Sequence, residues 1–301
     1  MPNELVHTFA GNPLDRAEVP RRDEAWLQRA STSERAKFLA LSRLKVCLHT
    51  DAGDGARLAW QPSAAFDLAS TTWVLLGLDA DEAPCFAIDA AETPAPDGCA
   101  YTDCRVAAGL LGGGDAGIVA QARAQLDWHR RNRYCGRCAA PTKMRRGGQA
   151  LGCTACDNQI FPRTDPVVIM LVADDERCLL GQGAVRMPRM NIYSALAGFV
   201  DQAESIEEAV RREVREEAGI EVGAVHYHSS QPWPFSSSLM IGCLAEPETR
   251  DINFDTEEMR DVAWFSRDRV RDAFAGRLDH GLPGPIAIAH HLIMHWLEAQ
   301  P

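Results

Sequence analysis

The chain has 301 residues, enough for about two domains, and its 46% hydrophobic and 24% charged residues exclude a disordered, collagen-like or coiled-coil protein. A net charge of −11 argues against a general nucleic-acid binder, because phosphate is repelled at long range. No apolar run reaches the roughly 18 residues of a membrane span, the first residues lack a basic start followed by an apolar core, and the terminal EAQP matches no lipidation or peroxisomal signal, so no membrane association and no secretory leader are expected.

In chain order, residues 1 to about 110 carry no chemical motif. Short apolar runs such as Thr72-Trp73-Val74-Leu75-Leu76 predict strands, broken by turn-rich stretches such as AETPAPDG at 91–98. A small sheet-containing domain is expected there. Three glycines at 112–114 follow, and Ile118 to Arg131 predicts a helix with Val119, Ala122, Leu126 and His129 on one face. From Phe161 onward, VVIMLV at 167–172, RCLLGQ at 177–182 and SALAGFV at 194–200 read as strands. A charged helix is expected from about 205 to 218, then strands at 222–229, 237–245 and 261–265, and an amphipathic helix in PIAIAHHLIMHWLEAQ. This alternation predicts an α/β or α+β layered domain. Histidines stand at 226 and 228 and at 290, 291 and 295; the last set is read as a helix-face coincidence rather than a ligand set.

Four of the ten cysteines form two knuckles, Cys135-x-x-Cys138 and Cys153-x-x-Cys156, with Gly147-Gly148 suited to a hairpin turn between them. Four thiolates at this spacing suit a closed, structural Zn²⁺ site of zinc-ribbon type. The other six are scattered, which reads as free thiols in a reducing compartment, hence a cytoplasmic protein. The segment between Trp128 and Cys156 holds seven cationic residues (Arg130, Arg131, Arg133, Arg137, Lys143, Arg145, Arg146) and no acid. Two readings stay open: a solvated ribbon surface, or a patch that meets the phosphates of a substrate.

The strongest signal is GFVDQAESIEEAVRREVREEAGI at 198–220. Glu213, Glu216 and Glu217 stand at i, i+3 and i+4 and share one helix face, with Glu204 able to fold back towards it. Like charges repel in such an array, and a divalent cation removes the conflict; hard oxygen donors suit Mg²⁺ or Mn²⁺. Ser205 and Glu208 form a capping-box pair, Gly219 suits a left-handed helix end, and Ile206, Ala209, Val210 and Val214 form the buried stripe. Arg212 can orient a neighbouring carboxylate.

Gly198, Glu204, Arg212, Glu213, Val214, Glu216, Glu217, Gly219 and Ile220 fill every position of the Nudix box, G-x5-E-x7-R-E-U-x-E-E-x-G-U. Ser230-Gln231-Pro232-Trp233-Pro234-Phe235 follows the box and, with the four-cysteine ribbon before it, resembles the NADH pyrophosphatase family of the Nudix hydrolase superfamily. FAGNPLDR at 9–16 also resembles the start of family members. Ser236 stands where the family usually has a further proline, which leaves the loop less constrained.

The resemblance implies a Nudix α/β/α sandwich domain, a four-cysteine zinc ribbon and a smaller N-terminal sheet-containing domain, divided here as 1–128, 129–160 and 161–301. It implies a homodimeric NADH or NAD⁺ diphosphatase releasing nicotinamide mononucleotide and AMP, with NAD-capped RNA as a further substrate. Glu213, Glu216, Glu217 and Glu258 are the implied Mg²⁺ or Mn²⁺ ligands, with Glu257 the neighbour mistaken most easily for Glu258. Glu217 or Glu258 is the implied base, and Arg212 belongs to the catalytic set. Phe199 and Phe161 are the implied stacking rings, contributed by opposite subunits. Ala197, Gln231, Trp233 and Phe235 are assigned to the substrate pocket. Two alternatives are kept: a Nudix pyrophosphatase for ADP-ribose or another dinucleotide, against which SQPWPF speaks, and a zinc-ribbon nucleic-acid-binding module, against which the acidic net charge speaks.

Overall fold

The computed structural model describes residues 7–50, 55–112, 114–184 and 191–299. Gly113 and, of the terminal residues weighed above, 1–6 and 300–301 lie outside these. The chain forms two compact units, one of residues 8–164 with 232–237, the other of His7 with 165–231 and 238 onward.

In the first unit, helix α1 (Glu24–Ser31) begins where the Asp23 carboxylate accepts from Ala25 N at 2.8 Å. Strands β1 (Lys37–Ser42), β2 (Lys45–His49), β3 (Arg57–Leu58), β4 (Trp60–Gln61), β5 (Trp73–Leu78), β6 (Pro84–Asp89) and β7 (Cys99–Thr102) form one mixed sheet, ordered β3-β2-β1-β6-β5, with β4 on β1 and β7 on β2. Helices α2 (Cys104–Leu110) and α3 (Asp115–Arg131) follow. Strand β1 is apolar on both faces because both are covered. Leu39 and Leu41 pack with Ile118, Val119, Ala122 and Leu126 of α3, and Phe38 and Ala40 pack with Leu27 and Ala30 of α1. The expected sheet domain is present. It also carries α1 and α2, too short to announce themselves by periodicity.

The segment Phe9–Arg16 docks on the start of α3. Asn12 Nδ2 donates to Gln121 Oε1 at 2.7 Å and to Gly117 O at 3.3 Å. A Cβ on Gly114 would lie 2.4 Å from Gly11 O, and one on Gly117 would lie 2.8 Å from Ala10 O, so the glycines there admit a close backbone approach. The ribbon strands β8 (Thr142–Arg145), β9 (Ala150–Cys153) and β10 (Gln159–Ile160) are antiparallel. Gly147 and Gly148 turn the hairpin as expected, at φ 60° and 96°. A Cβ on Gly148 would lie 2.5 Å from Val74 Cγ1, because the hairpin tip rests on β5.

The second unit contains β11 (Asp165–Val172), β12 (Arg177–Gly183), β13 (Leu196–Phe199), α4 (Ile206–Ala218), β14 (Val222–Trp233), β15 (Ser238–Pro247), β16 (Met259–Ser266), α5 (Arg267–Phe274) and α6 (Ile288–Glu298). One sheet runs β13-β11-β15-β14, with β11 and β15 parallel, and β12 pairs with β16. Val168, Met170 and Val172 of β11 face Ala209, Val210, Val214 and Ala218 of α4. The alternate residues Ile169 and Leu171 face Ile288, Leu292 and Ile293 of α6. This is the expected α/β/α sandwich. Helix α5 was not foreseen, since it is short, charged and buries only Val270 and Ala273. On the α6 face, His7 Nε2 and His228 Nδ1 each lie 2.7 Å from the Ser229 hydroxyl. The His7 ring is 4.7 Å from His291, and the His228 ring 4.6 Å from His295. Burial, then the neighbouring His291 and His228, pushes the His7 pKa down to about 4.

Candidate active site and metal centres

Helix α4 presents the acids. Its start is held by the foreseen capping box: Ser205 Oγ accepts from Glu208 N at 3.2 Å, and Glu208 accepts from Ser205 N at 2.8 Å. Its end is Gly219 at φ 70°. Between them, the apolar stripe locks the helix against the sheet and turns the carboxylate face towards β13.

Arg212 is the centre of the ion-pair network. It donates to both oxygens of Glu204 (2.8 and 2.9 Å), to Glu213 at 2.7 Å, to Glu216 at 2.9 Å and to the carbonyl of Phe199 at 2.8 Å. These bonds, Glu204 foremost, raise the Arg212 pKa and lower that of Glu204. Glu213 is buried, and burial raises its pKa, with the charges of Glu216 and Glu258 acting in the same direction against Arg212. Glu217 Oε2 accepts from Ala197 N at 3.3 Å, which ties the helix to β13. Glu258 is exposed in the turn before β16, its carbonyl bound by Ala184 N at 2.8 Å. Glu257 is exposed in the same turn, and its N–H bonds Asp255 Oδ1 at 2.8 Å.

Gly198 faces this cluster. A Cβ there would lie 1.8 Å from Glu213 Cδ and 2.0–2.1 Å from its two oxygens. The box glycine is therefore the space that the Glu213 carboxylate occupies. One guanidinium among five carboxylates leaves a net negative site of hard oxygen donors, with one acid buried against its preference. These residues fit divalent cations of the Mg²⁺ or Mn²⁺ kind.

The four cysteines form a second centre. The Sγ–Sγ distances are 3.9 Å for Cys135–Cys156, 3.4 Å for Cys138–Cys153 and 3.6 Å for Cys138–Cys156. A tetrahedron with metal–sulfur bonds of about 2.3 Å has edges of about 3.8 Å, so the set fits a tetrahedral metal. Among the described residues it is the one group of three or more His, Cys, Asp or Glu whose ligand atoms all lie within 4.8 Å. Cys135 Sγ accepts from Arg137 N at 3.4 Å and Asn158 Nδ2 at 3.3 Å, which pulls its pKa down to about 6. The ribbon's cationic excess is largely matched within its own unit. Arg130 pairs with Asp89, Arg131 with Asp127, Arg137 with Asp157 and Arg146 with Glu18.

The remaining sequence-derived residues belong to both units. Phe199 and Phe161 are exposed large apolar rings, at 50% and 56%. Gln231 is buried and holds α6: its Nε2 donates to Ile286 O and its Oε1 accepts from Ile288 N, both at 2.8 Å. Trp233 and Phe235 pack on Phe9, with ring centroids 5.8 and 5.7 Å away, and Arg105 and Arg123 stack on Phe235 at 3.7 and 4.5 Å. Arg123 also donates to Pro234 O. The PWPF array is thus clamped into the first unit. Only the aromatic content of FAGNPLDR and SQPWPF hinted at this, since the two lie more than 200 residues apart.

Helix, glycine and acids together define a Nudix-type site, and the NUDIX domain model matches residues 162–283. The NADH pyrophosphatase zinc ribbon model matches 130–161, and the NADH pyrophosphatase-like rudimentary NUDIX domain model matches 35–128. The chain belongs to the NADH pyrophosphatase family of the Nudix superfamily. It is 44% identical over 199 residues to the human NAD-capped RNA hydrolase NUDT12, covering 62% of this chain and 43% of that protein. It is 37% identical over 238 residues to the mouse mitochondrial NAD(P)H pyrophosphatase NUDT13, covering 75% and 67%. It is 41% identical over 193 residues to the NAD-capped RNA hydrolase NudC of Mycobacterium bovis, covering 61% of each. The chain spans about half the length of the first of these curated relatives.

Proposed function

We propose that the protein hydrolyses the pyrophosphate of NADH or NAD⁺ to nicotinamide mononucleotide and AMP, and removes the NAD cap from RNA. The observation that carries this reading is the carboxylate face of α4, held by Arg212 and fitted over Gly198 in a chain of this family. Named activities of the relatives support the substrate. Glu213, Glu216, Glu217 and Glu258 would hold Mg²⁺ or Mn²⁺, which when bound neutralise the phosphates and lower the pKa of the attacking water. Arg212 orients Glu213 and Glu216 through its ion pairs and opposes the rise that burial imposes on the Glu213 pKa. Glu217, or Glu258 opposite, takes the proton of the water as it attacks phosphorus. Phe199 offers a ring face to the nicotinamide or base, and Phe161 of a second subunit closes the stack in a homodimer; their exposure supports this. Ala197 lines the pocket beside them. Gln231, Trp233 and Phe235 belong to the same substrate-binding assignment.

The four cysteines hold Zn²⁺ as a structural ion. The division 1–128, 129–160 and 161–301 serves as the domain scheme. A cytoplasmic setting belongs to the same reading and is supported by the six thiols outside the zinc centre. No helix among the described residues is long and apolar enough to cross a membrane. The test is a dinucleotide panel with Mg²⁺ or Mn²⁺ and product masses. NADH and NAD⁺ should yield mononucleotides. Cleavage of ADP-ribose with NADH and NAD⁺ left intact would replace this reading with the ADP-ribose pyrophosphatase one.

A further inference from the structure

Within the first unit, the start of β5, the end of α3 and the ribbon enclose a cleft of about 510 Å³. Met144 and Leu151 make part of its lining apolar, Thr71 and Thr72 add hydroxyl-bearing side chains, and Arg133 and Tyr134 stand at its rim. No carboxylate among the described residues lines it. Tyr134 is 64% exposed, yet its backbone is pinned by an antiparallel bridge to Pro141, and the Arg133 carbonyl accepts from Thr142 N at 3.0 Å. Arg133, like Lys143 and Arg145, differs from four of the cations around it. Arg130, Arg131, Arg137 and Arg146 are spent on Asp89, Asp127, Asp157 and Glu18, while Arg133 has no carboxylate in ion-pair reach among the described residues.

We infer that this cleft binds one nucleotide of a single-stranded RNA, its base stacked on Tyr134 and its phosphodiester on Arg133. A cleft of a few hundred Å³ with one exposed aromatic ring, Tyr134, beside the buried Trp73 and His129, and with hydroxyls and one cation, suits a nucleoside phosphate in size and polarity. A single guanidinium matches the single charge of a phosphodiester. A free monophosphate carries about two charges, one more than that single cation neutralises. The rim position of both side chains lets a strand enter and leave without an end. This deepens the capped-RNA part of the proposed function and rests on it.

The experiment uses the full chain and a fluorescent, uncapped oligoribonucleotide of about ten residues, read by anisotropy, with AMP as competitor. Tyr134→Ala should weaken binding about tenfold, and Tyr134→Phe should retain it. Arg133→Gln should reduce the slope of log K against log salt by about 0.7, the share of one phosphate on a single strand. Both variants should keep the wild-type zinc content and kcat/KM on free NADH, and lose kcat/KM on NAD-capped RNA in step with binding. Wild-type affinity and salt slope in both variants would overturn the inference, as would AMP binding as tightly as the oligomer. Failure of the wild-type chain to cleave NADH would instead overturn the proposed activity, which the anisotropy measurement does not touch.

Discussion

Replacing Gly198 by alanine tests the arrangement of the acids directly. The new methyl carbon would sit 1.8 Å from Glu213 Cδ, against an ordinary carbon–carbon contact of about 3.5 Å. The carboxyl group must therefore retreat by roughly 1.5 Å. It cannot do so freely: α4 is locked by Ala209, Val210, Val214 and Ala218, and Arg212 grips the carboxylate at 2.7 Å. A misplacement of about 1 Å at a reacting site costs on the order of a hundredfold in rate, and overpacking of this kind costs about 1–3 kcal/mol. Gly198→Ala should thus lose about two decades in kcat on NADH with Mg²⁺ and show a lower Tm by calorimetry. Gly109→Ala is the control. It lies in α2 with no atom within 4 Å of the new carbon, and should keep full activity with a gain of about 0.5–1 kcal/mol. Wild-type turnover and Tm in Gly198→Ala would refute the placement of Glu213 over this glycine.

Glu217→Gln should fold normally and lose most turnover, since a charged donor goes while helix propensity hardly changes; wild-type rates with Mg²⁺ would remove Glu217 from the mechanism. Elemental analysis should find one Zn²⁺ per chain, and Cys138→Ser should cost stability far more than chemistry, because a closed site folds the chain around it. Phe161→Ala and Phe199→Ala should each raise KM roughly ten- to a hundredfold, and mixing the two proteins should restore activity through heterodimers with one intact pocket. No recovery despite confirmed subunit exchange would exclude a shared site. His7 keeps its neutral form in the folded chain down to pH about 4, whereas the unfolded chain takes the proton near 6.5. Its contribution is present above pH 6.5 and lost as pH falls from there towards 4. Urea midpoints should drop across that window, and His7→Gln should make the drop shallower.

The chemistry was legible in the sequence because its constraints are local. Three acids at i, i+3 and i+4 share a helix face by geometry alone, and two knuckles fourteen residues apart can reach one metal. The same holds for the capping box, for Gly219, for the hairpin glycines and for strands whose apolar runs are long enough to count. Helices α1, α2 and α5 were too short for that. What no local pattern contains is the partner of a side chain far along the chain. Gln231 spends its amide on the start of α6, and Trp233 and Phe235 close on Phe9, none of which a local pattern shows. Seven cations without an acid between them left a solvated surface and a phosphate-binding patch both open; Glu18, Asp89, Asp127 and Asp157 pair with four of them. Two of the helix histidines, His291 and His295, meet the rings of His7 and His228, which share the Ser229 hydroxyl. Motif spacing named the site, while the pairing of charges, amides and rings was decided by which distant segments pack together, because those energies exist only once the chain is folded.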